Sequence, residues 1–201
     1  MNVTFWAIFS CCVAERIWEL FRSTQNQRRL VRSGFSNFEP IRSRLKMIFF
    51  HAAWVIATFI EAWKREASIP LPLAGVCILA IAIAFGLRIW TLRTLGAHWN
   101  ISIMAPDESA SNVQSPQSLF VTDGPYRYIR HPNYLAVILE LAAIPMLGGA
   151  FLTAIGFSIG HFFILRGRIH EEEQHLFSRP GYSEAVGSRP RFFPRINFVG
   201  R

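Results

Sequence analysis

Between Leu71 and Leu87 the chain carries no charged residue. That run approaches the about 20 apolar residues needed to cross the hydrocarbon core of a bilayer. A second apolar stretch, Met47 to Ile60, is bounded by Lys46 and Glu61. The N-terminal stretch Val3 to Val13 continues into Glu15, Arg16 and Glu19. It lacks a basic leader and a small-residue cleavage site, so it reads as a retained helix and not as a signal peptide. Tyr134 to Leu165 holds only Glu140 and His161 as ionisable groups and is too long for one span. Pro145 and the Gly148-Gly149 pair near its middle can turn the chain. Two short helices of about 15 residues, paired as a hairpin, fit it better. The pattern predicts an all-α, polytopic integral membrane protein with about five transmembrane helices, the last two forming a C-terminal hairpin.

Composition agrees. Apolar residues make up 51% of the 201-residue chain and charged residues 17%, against roughly a quarter charged in ordinary soluble domains. The length suits one domain, with residues 1–104 as N-terminal spans and 119–201 as the half that carries the chemistry. The net charge is +8, but the basic residues cluster between the apolar stretches. They fall at Arg22 to Lys46, Arg88 to Arg93, Arg127 to Arg130 and Arg166 to Arg201. Five spans with the N-terminus outside put every basic cluster, and the C-terminus, on the cytoplasmic side, as the positive-inside rule requires. The surplus is therefore topology plus attraction to anionic membrane lipids, and no nucleic acid is expected as a partner. Cys11, Cys12 and Cys77 lie in the spans without metal-ligand spacing and read as small apolar filler. A Ser/Pro/Asn-rich loop runs from Ala105 to Ser118.

Polar groups that a membrane would exclude are functional candidates. The segment "GPYRYIRHPNYLAVILEL" (124–141) sets two arginines, a histidine and three tyrosines against an apolar run. Pro132 suits the first turn of a helix, and the donors before it would sit at that helix's positive end. An interfacial aromatic belt accounts for the tyrosines and arginines but has no need of His131 beside Pro132. The segment "LRGRIHEEEQHLF" (165–177) adds Arg168, His170, Glu171, Glu172, Glu173 and His175. Arg168 and Glu172, four apart, could be an ordinary ion pair on a solvated helix. Three consecutive acids at a cationic membrane face could instead neutralise a cationic ligand. Together the segments offer acids for a sulfonium, cations for a carboxylate and aromatic faces for a purine, a set that suits S-adenosylmethionine. No glycine-rich dinucleotide turn follows a strand. His170 and His175 lack a third ligand, so no metal is expected.

At these residues the sequence resembles the isoprenylcysteine carboxyl methyltransferase family of membrane enzymes. The matching pieces are "GPYRYIRHPNY" (124–134), the pattern Arg168, Glu172, Glu173 and Leu176, and the closing "PRFFP" (190–194). The Arg-His-Pro piece also occurs in sterol reductases and phospholipid methyltransferases. "RIWELFRSTQNQRRLVRSG" (16–34), His51, "LRIWTLRTLGAHWNISI" (87–103) and "NYLAVILELAAIPM" with Glu140 look like a bacterial branch encoded beside type III polyketide synthases. Members of that branch are similar to enzymes that O-methylate alkylpyrones or alkylresorcinols. The resemblance implies an enzyme of the bacterial inner membrane that methylates a lipophilic substrate drawn from the bilayer, beside a polyketide synthase.

It implies a cytoplasmic cofactor pocket of Tyr126, His131, Pro132, Asn133, Tyr134 and Glu172, with Glu173 and the backbone of Leu119, Phe120 and Val121. Arg168 would face the acceptor group. The family's second tyrosine after Tyr182 is replaced here by Ala185, and the loop 105–118 is longer than expected. A carboxylate acceptor needs no base, whereas a phenol or enol does, and His131, His51 and Glu140 are the candidates. The acceptor could be a polyketide-derived hydroxyl or a prenylcysteine carboxylate. Phospholipid N-methylation, or a non-catalytic membrane assembly role, are the alternatives.

Overall fold

The charge-free run from Leu71 folds as one continuous helix that passes Arg88 without a break, and it organises the rest of the chain. The computed structural model describes residues 3–37, 39, 41–65, 69–100, 104–106, 121–178 and 181–194. Its long helices are α1 (Val3–Arg32), α2 (Ile41–Arg65), α3 (Leu71–Leu95), α4 (Pro132–Leu147) and α5 (Phe151–Phe177), followed by the short α6 (Tyr182–Val186). A two-stranded antiparallel ribbon joins β1 (Phe35–Asn37) to β2 (Met104–Pro106), with Phe35 opposite Pro106. The expected all-α class therefore holds apart from this strap between the loops that follow α1 and α3. Leu119, Phe120 and most of the loop 105–118 lie outside the described residues.

By length and composition, α2 and the helical run Leu71–His98 can cross a membrane, and α4 is apolar but shorter. Large apolar side chains on α2, α3 and α5, among them Ile56, Phe59, Val76, Leu79, Ile155 and Phe163, are exposed. In water that would be a liability; in lipid it is the expected exterior. α4 differs, with Ala136, Val137, Glu140, Leu141, Ile144 and Leu147 all buried. It packs along α3 most extensively, then along α5. Being enclosed by neighbours, it does not need the full length of a lipid-facing span.

The hairpin turns where the sequence suggested. Gly149 has φ +74°, a conformation that costs glycine little. A Cβ on Gly148 would stand 2.5 Å from the Phe5 ring, so glycine is needed there for close packing. At the same end, Glu61 of α2 accepts hydrogen bonds from the Leu152 and Thr153 amides at 3.0 and 2.8 Å and from the Thr153 hydroxyl at 2.7 Å. The carboxylate thereby caps the first turn of α5, whose amides have no partners within the helix. The second arm of the hairpin is longer than the about 15 residues expected from its apolar part. It runs on past Leu165 to Phe177 without a break and carries the acidic segment as its final turns.

At the opposite end, Asn26 of α1 donates to the Trp99 and Gly96 carbonyls at 2.7 and 3.3 Å. The end of α1, the start of α2, the end of α3, the start of α4 and the end of α5 gather there. Helix alternation alone brings the two motif segments together.

Candidate active site

His131 caps α4, with Pro132 as its first helical residue. A residue before proline is held out of the helical region, and this ends the 3-10 turn Gly124–Arg127 and its tail before the helix begins. Gly124 has φ +57°, and a Cβ there would meet the Thr94 hydroxyl at 2.2 Å, so only glycine lets this turn sit against the end of α3. The closing "PRFFP" segment braces the same corner. The Arg130 and His131 amides donate to the Pro190 and Arg191 carbonyls at 2.9 and 3.0 Å. Arg189 donates to the Tyr126 carbonyl at 2.6 Å.

Two acids of α5 then divide the work. Glu173 accepts from His131 Nε2 at 3.0 Å and from Arg191 Nε and Nη2 at 3.1 and 2.6 Å, with Arg130 3.3 Å away. Burial alone would raise its pKa, but the Arg191 and His131 hydrogen bonds outweigh it and hold the carboxyl below the usual range. Glu172, the neighbouring acid, points to a different set of groups. The Tyr134 hydroxyl donates to it at 2.6 Å and itself accepts from Arg168 Nε at 2.9 Å. Tyr134 thus bridges Arg168 and Glu172, which sequence spacing alone would have paired directly. Arg168 is also paired with Glu39, the acid that follows β1. Burial, with a contribution from Glu172, raises the phenol pKa of Tyr126 and carries that of Tyr182 to about 12, so both remain O–H donors at neutral pH.

These groups open onto one cavity of about 580 Å³. Of the residues expected from the sequence, Val121, Tyr126, His131, Asn133, Tyr134, Arg168 and Glu172 line it. Pro132 is buried behind the wall, and Glu173 anchors His131 from outside it. The cavity continues between the helices to His51, Trp54 and Val55 of α2, His161 of α5 and Arg16 of α1. There it meets an apolar groove between α1 and α2 lined by Phe9, Val13, Ile17, Val55, Ile56 and Phe59.

Glu140 is not among the lining residues. Arg88 Nε and Nη2 donate to its two oxygens at 3.0 and 2.6 Å, and Arg16 pairs with it as well. Arg88 Nη1 also donates to Glu19 at 2.6 Å, and Arg16 Nη1 to the other oxygen of Glu19 at 2.8 Å. Arg88, read from the sequence as part of a cytoplasmic basic cluster, is instead fully buried within α3. Arg88, Arg16, Glu19 and Glu39 were missed as partners. Arg88 alone carried a signal, a charge at the end of a charge-free run, which marks an expensive group without naming its counter-ion; Arg16 and Glu19 stand in one charged stretch with Glu15, and Glu39 in a polar loop. Among the described residues no cluster of His, Cys, Asp or Glu could hold a metal ion.

The profile of the isoprenylcysteine carboxyl methyltransferase family matches residues 75–178. The chain belongs to that family. It is a membrane methyltransferase by family, and the matched region contains α4, α5 and both site segments. An uncharacterized Bacillus subtilis (strain 168) protein, YpbQ, is 32% identical over 86% of this chain and 96% of its own. An uncharacterized Haemophilus influenzae protein is 31% identical over 89% of this chain and 98% of its own. A Schizosaccharomyces pombe protein-S-isoprenylcysteine O-methyltransferase is 38% identical over 60 residues, 30% of this chain and 25% of its own. No solved structure matches the chain significantly.

Proposed function

We propose that this protein is an S-adenosylmethionine-dependent O-methyltransferase whose acceptor is a lipid drawn from the bilayer. The observation that carries this reading is one continuous cavity: its polar end holds the family's motif residues, and its apolar end meets the groove between α1 and α2. A water-soluble cofactor and a membrane-dissolved acceptor need such a meeting place.

The residues fit the cofactor. Glu172, set among the phenols of Tyr126, Tyr134 and Tyr182, suits a sulfonium, and Arg130 at the cavity wall suits a carboxylate. When bound, the cofactor supplies an electrophilic methyl group. The chain's own part is to hold the acceptor oxygen about 3 Å behind that methyl, in line with the breaking bond. The Tyr134 hydroxyl keeps Glu172 and Arg168 in fixed relation, and the apolar helices exclude water from the acceptor. The five long helices form five spans, with the basic motif end and the C-terminus cytoplasmic and the N-terminus outside, in a bacterial inner membrane. The acceptor is a polyketide-derived alkylpyrone or alkylresorcinol hydroxyl, or a prenylcysteine carboxylate, and the enzyme works beside the polyketide synthase that makes the former.

The test is transfer of a radiolabelled methyl group from S-adenosylmethionine into organic-extractable lipid by membranes containing the protein. Label that survives mild base marks an ether, and label released as methanol marks an ester; both support the reading. Label recovered only on a phospholipid amine would replace it with N-methylation. No transfer above that of membranes lacking the protein would overturn it.

A further inference from the structure

The three candidate bases do not have equal access to the cavity. His131 has its Nε2 engaged by Glu173 at 3.0 Å. Glu140 has both oxygens occupied by Arg88 and does not line the cavity. His51 lines it, one turn after Met47 on α2. Its Nδ1 lies 2.9 Å from the Met47 carbonyl. A carbonyl can only accept, so Nδ1 carries the proton and the neutral ring presents its lone pair on Nε2. No hydrogen bond reaches that nitrogen among the described residues.

A second imidazole faces it. His161 of α5 also lines the cavity and is 2% exposed. It stands edge-on to His51 with ring centroids 5.8 Å apart, and Phe50 stacks on it at 5.9 Å. Among the described residues it makes no hydrogen bond. A polar ring at membrane depth that opens onto the cavity is a functional candidate. His161 is also seven residues before Arg168 on α5, about 10 Å along the same helix face. The pair therefore flanks the lipid side of the cavity, below Arg168 and Tyr134.

We propose that His51 is the proton acceptor for an acceptor lipid that carries an O–H group, and that His161 is a positioning residue for its ring. This rests on the methyltransferase reading and narrows it, because a carboxylate has no proton to donate to Nε2. In the step, the acceptor oxygen forms its bond to the methyl carbon as the carbon–sulfur bond breaks. The electron pair of that bond goes to sulfur, and the O–H proton passes to His51 Nε2. The products are a methyl ether, S-adenosylhomocysteine and an imidazolium. The positive charge passes from sulfonium to imidazole, so atoms and charge balance. A phenol or enol attached to an alkyl chain meets these demands: flat, apolar and able to donate.

The test uses the purified full chain in detergent with two probes, a long-chain alkylphenol and its nitro-substituted counterpart, whose hydroxyl ionises near neutral pH. Removing a general base costs about 100-fold or more. His51→Ala is expected to lose that much kcat on the plain phenol and less than about tenfold on the nitrophenol. Cofactor affinity should be unchanged. A second readout needs no turnover: without cofactor, the nitrophenol should bind the wild-type protein with the absorption band of its ionised form and His51→Ala with the neutral band. Where His51→Ala fails to fold, His51→Gln keeps a polar group of similar size without a basic nitrogen and takes its place. Equal losses on both probes, or the ionised band on both proteins, would overturn the assignment. Wild-type transfer to a carboxylate lipid but to neither phenol would overturn it while leaving the methyltransferase reading intact. Absence of any cofactor binding by the folded protein would remove the reading itself.

Discussion

The arginine–glutamate network at the motif end and the one deeper in the bundle differ in what surrounds them. At the motif end, Glu173 is shared by His131, Arg130 and Arg191, and the Arg191 side chain is 51% exposed. Deeper in the bundle, Arg88, Glu19 and Glu140 have side chains exposed by only 1%, 5% and 1%. The bonds are of similar length, but water decides their energies. An exposed pair gains about 1 kcal/mol or less, because either partner can be rehydrated. A buried pair that loses one partner strands the other, at about 3–5 kcal/mol. The inner network ties α1, α3 and α4 into one register. The outer one shapes a corner against which a ligand can bind.

The largest effect should therefore come from Arg88→Ala, which leaves Arg16, among the described residues, as the one remaining cation between the buried Glu19 and Glu140. Thermal unfolding in detergent should show destabilisation of about 3–5 kcal/mol, or loss of folded protein altogether. An Arg88→Met, Glu140→Met pair should recover part of the loss. Unfolding of Arg88→Ala at the wild-type temperature would erase the contrast between the two networks.

An intermediate effect, of a different kind, is expected at Glu172. Tyr134, which donates to it, still holds Arg168 when the carboxylate is gone, so Glu172→Gln should leave unfolding near wild type. Removing a carboxylate from a sulfonium should weaken S-adenosylmethionine binding by about tenfold or more, roughly 1.4 kcal/mol. Isothermal titration of wild type and variant separates the two quantities. A variant that unfolds early while binding normally would make Glu172 part of the scaffold instead.

The smallest effect lies at Glu173 and depends on pH. Its folded pKa is below the ordinary value of 4.5. Its contribution is thus fully present above 4.5 and lost as pH falls through the folded value. The difference in unfolding temperature between wild type and Glu173→Gln should be constant from neutral pH to about 5 and shrink in more acid buffer. With Arg191 half in solvent, it should be on the order of 1 kcal/mol. A difference that grows on acidification would contradict the charge state assigned here.

The contrast between the networks also marks how far the sequence could be read. The hairpin was legible because Pro145 and Gly148-Gly149 interrupt an apolar run, a local signal. The meeting of His131, Tyr134 and Glu172 was legible because the family pattern names them and helix alternation brings them to one end. Arg88 was not, since its partner Glu140 is 52 positions away and hydropathy reports only where a charge is expensive. Glu39 was further out of reach, 129 positions from Arg168 and brought there by a ribbon of three residues a side. Among the bases, sequence left His131, His51 and Glu140 level. Only the hydrogen bonds around them set His51 apart.

The most direct measurement of the central claim is equilibrium binding of S-adenosylmethionine to the purified, folded protein in detergent, followed by labelled methyl transfer from the same preparation into bilayer lipid. Saturable binding that Glu172→Gln weakens, and transfer that requires that binding, are expected. A folded protein that binds no cofactor, or whose binding ignores Glu172, would contradict the claim.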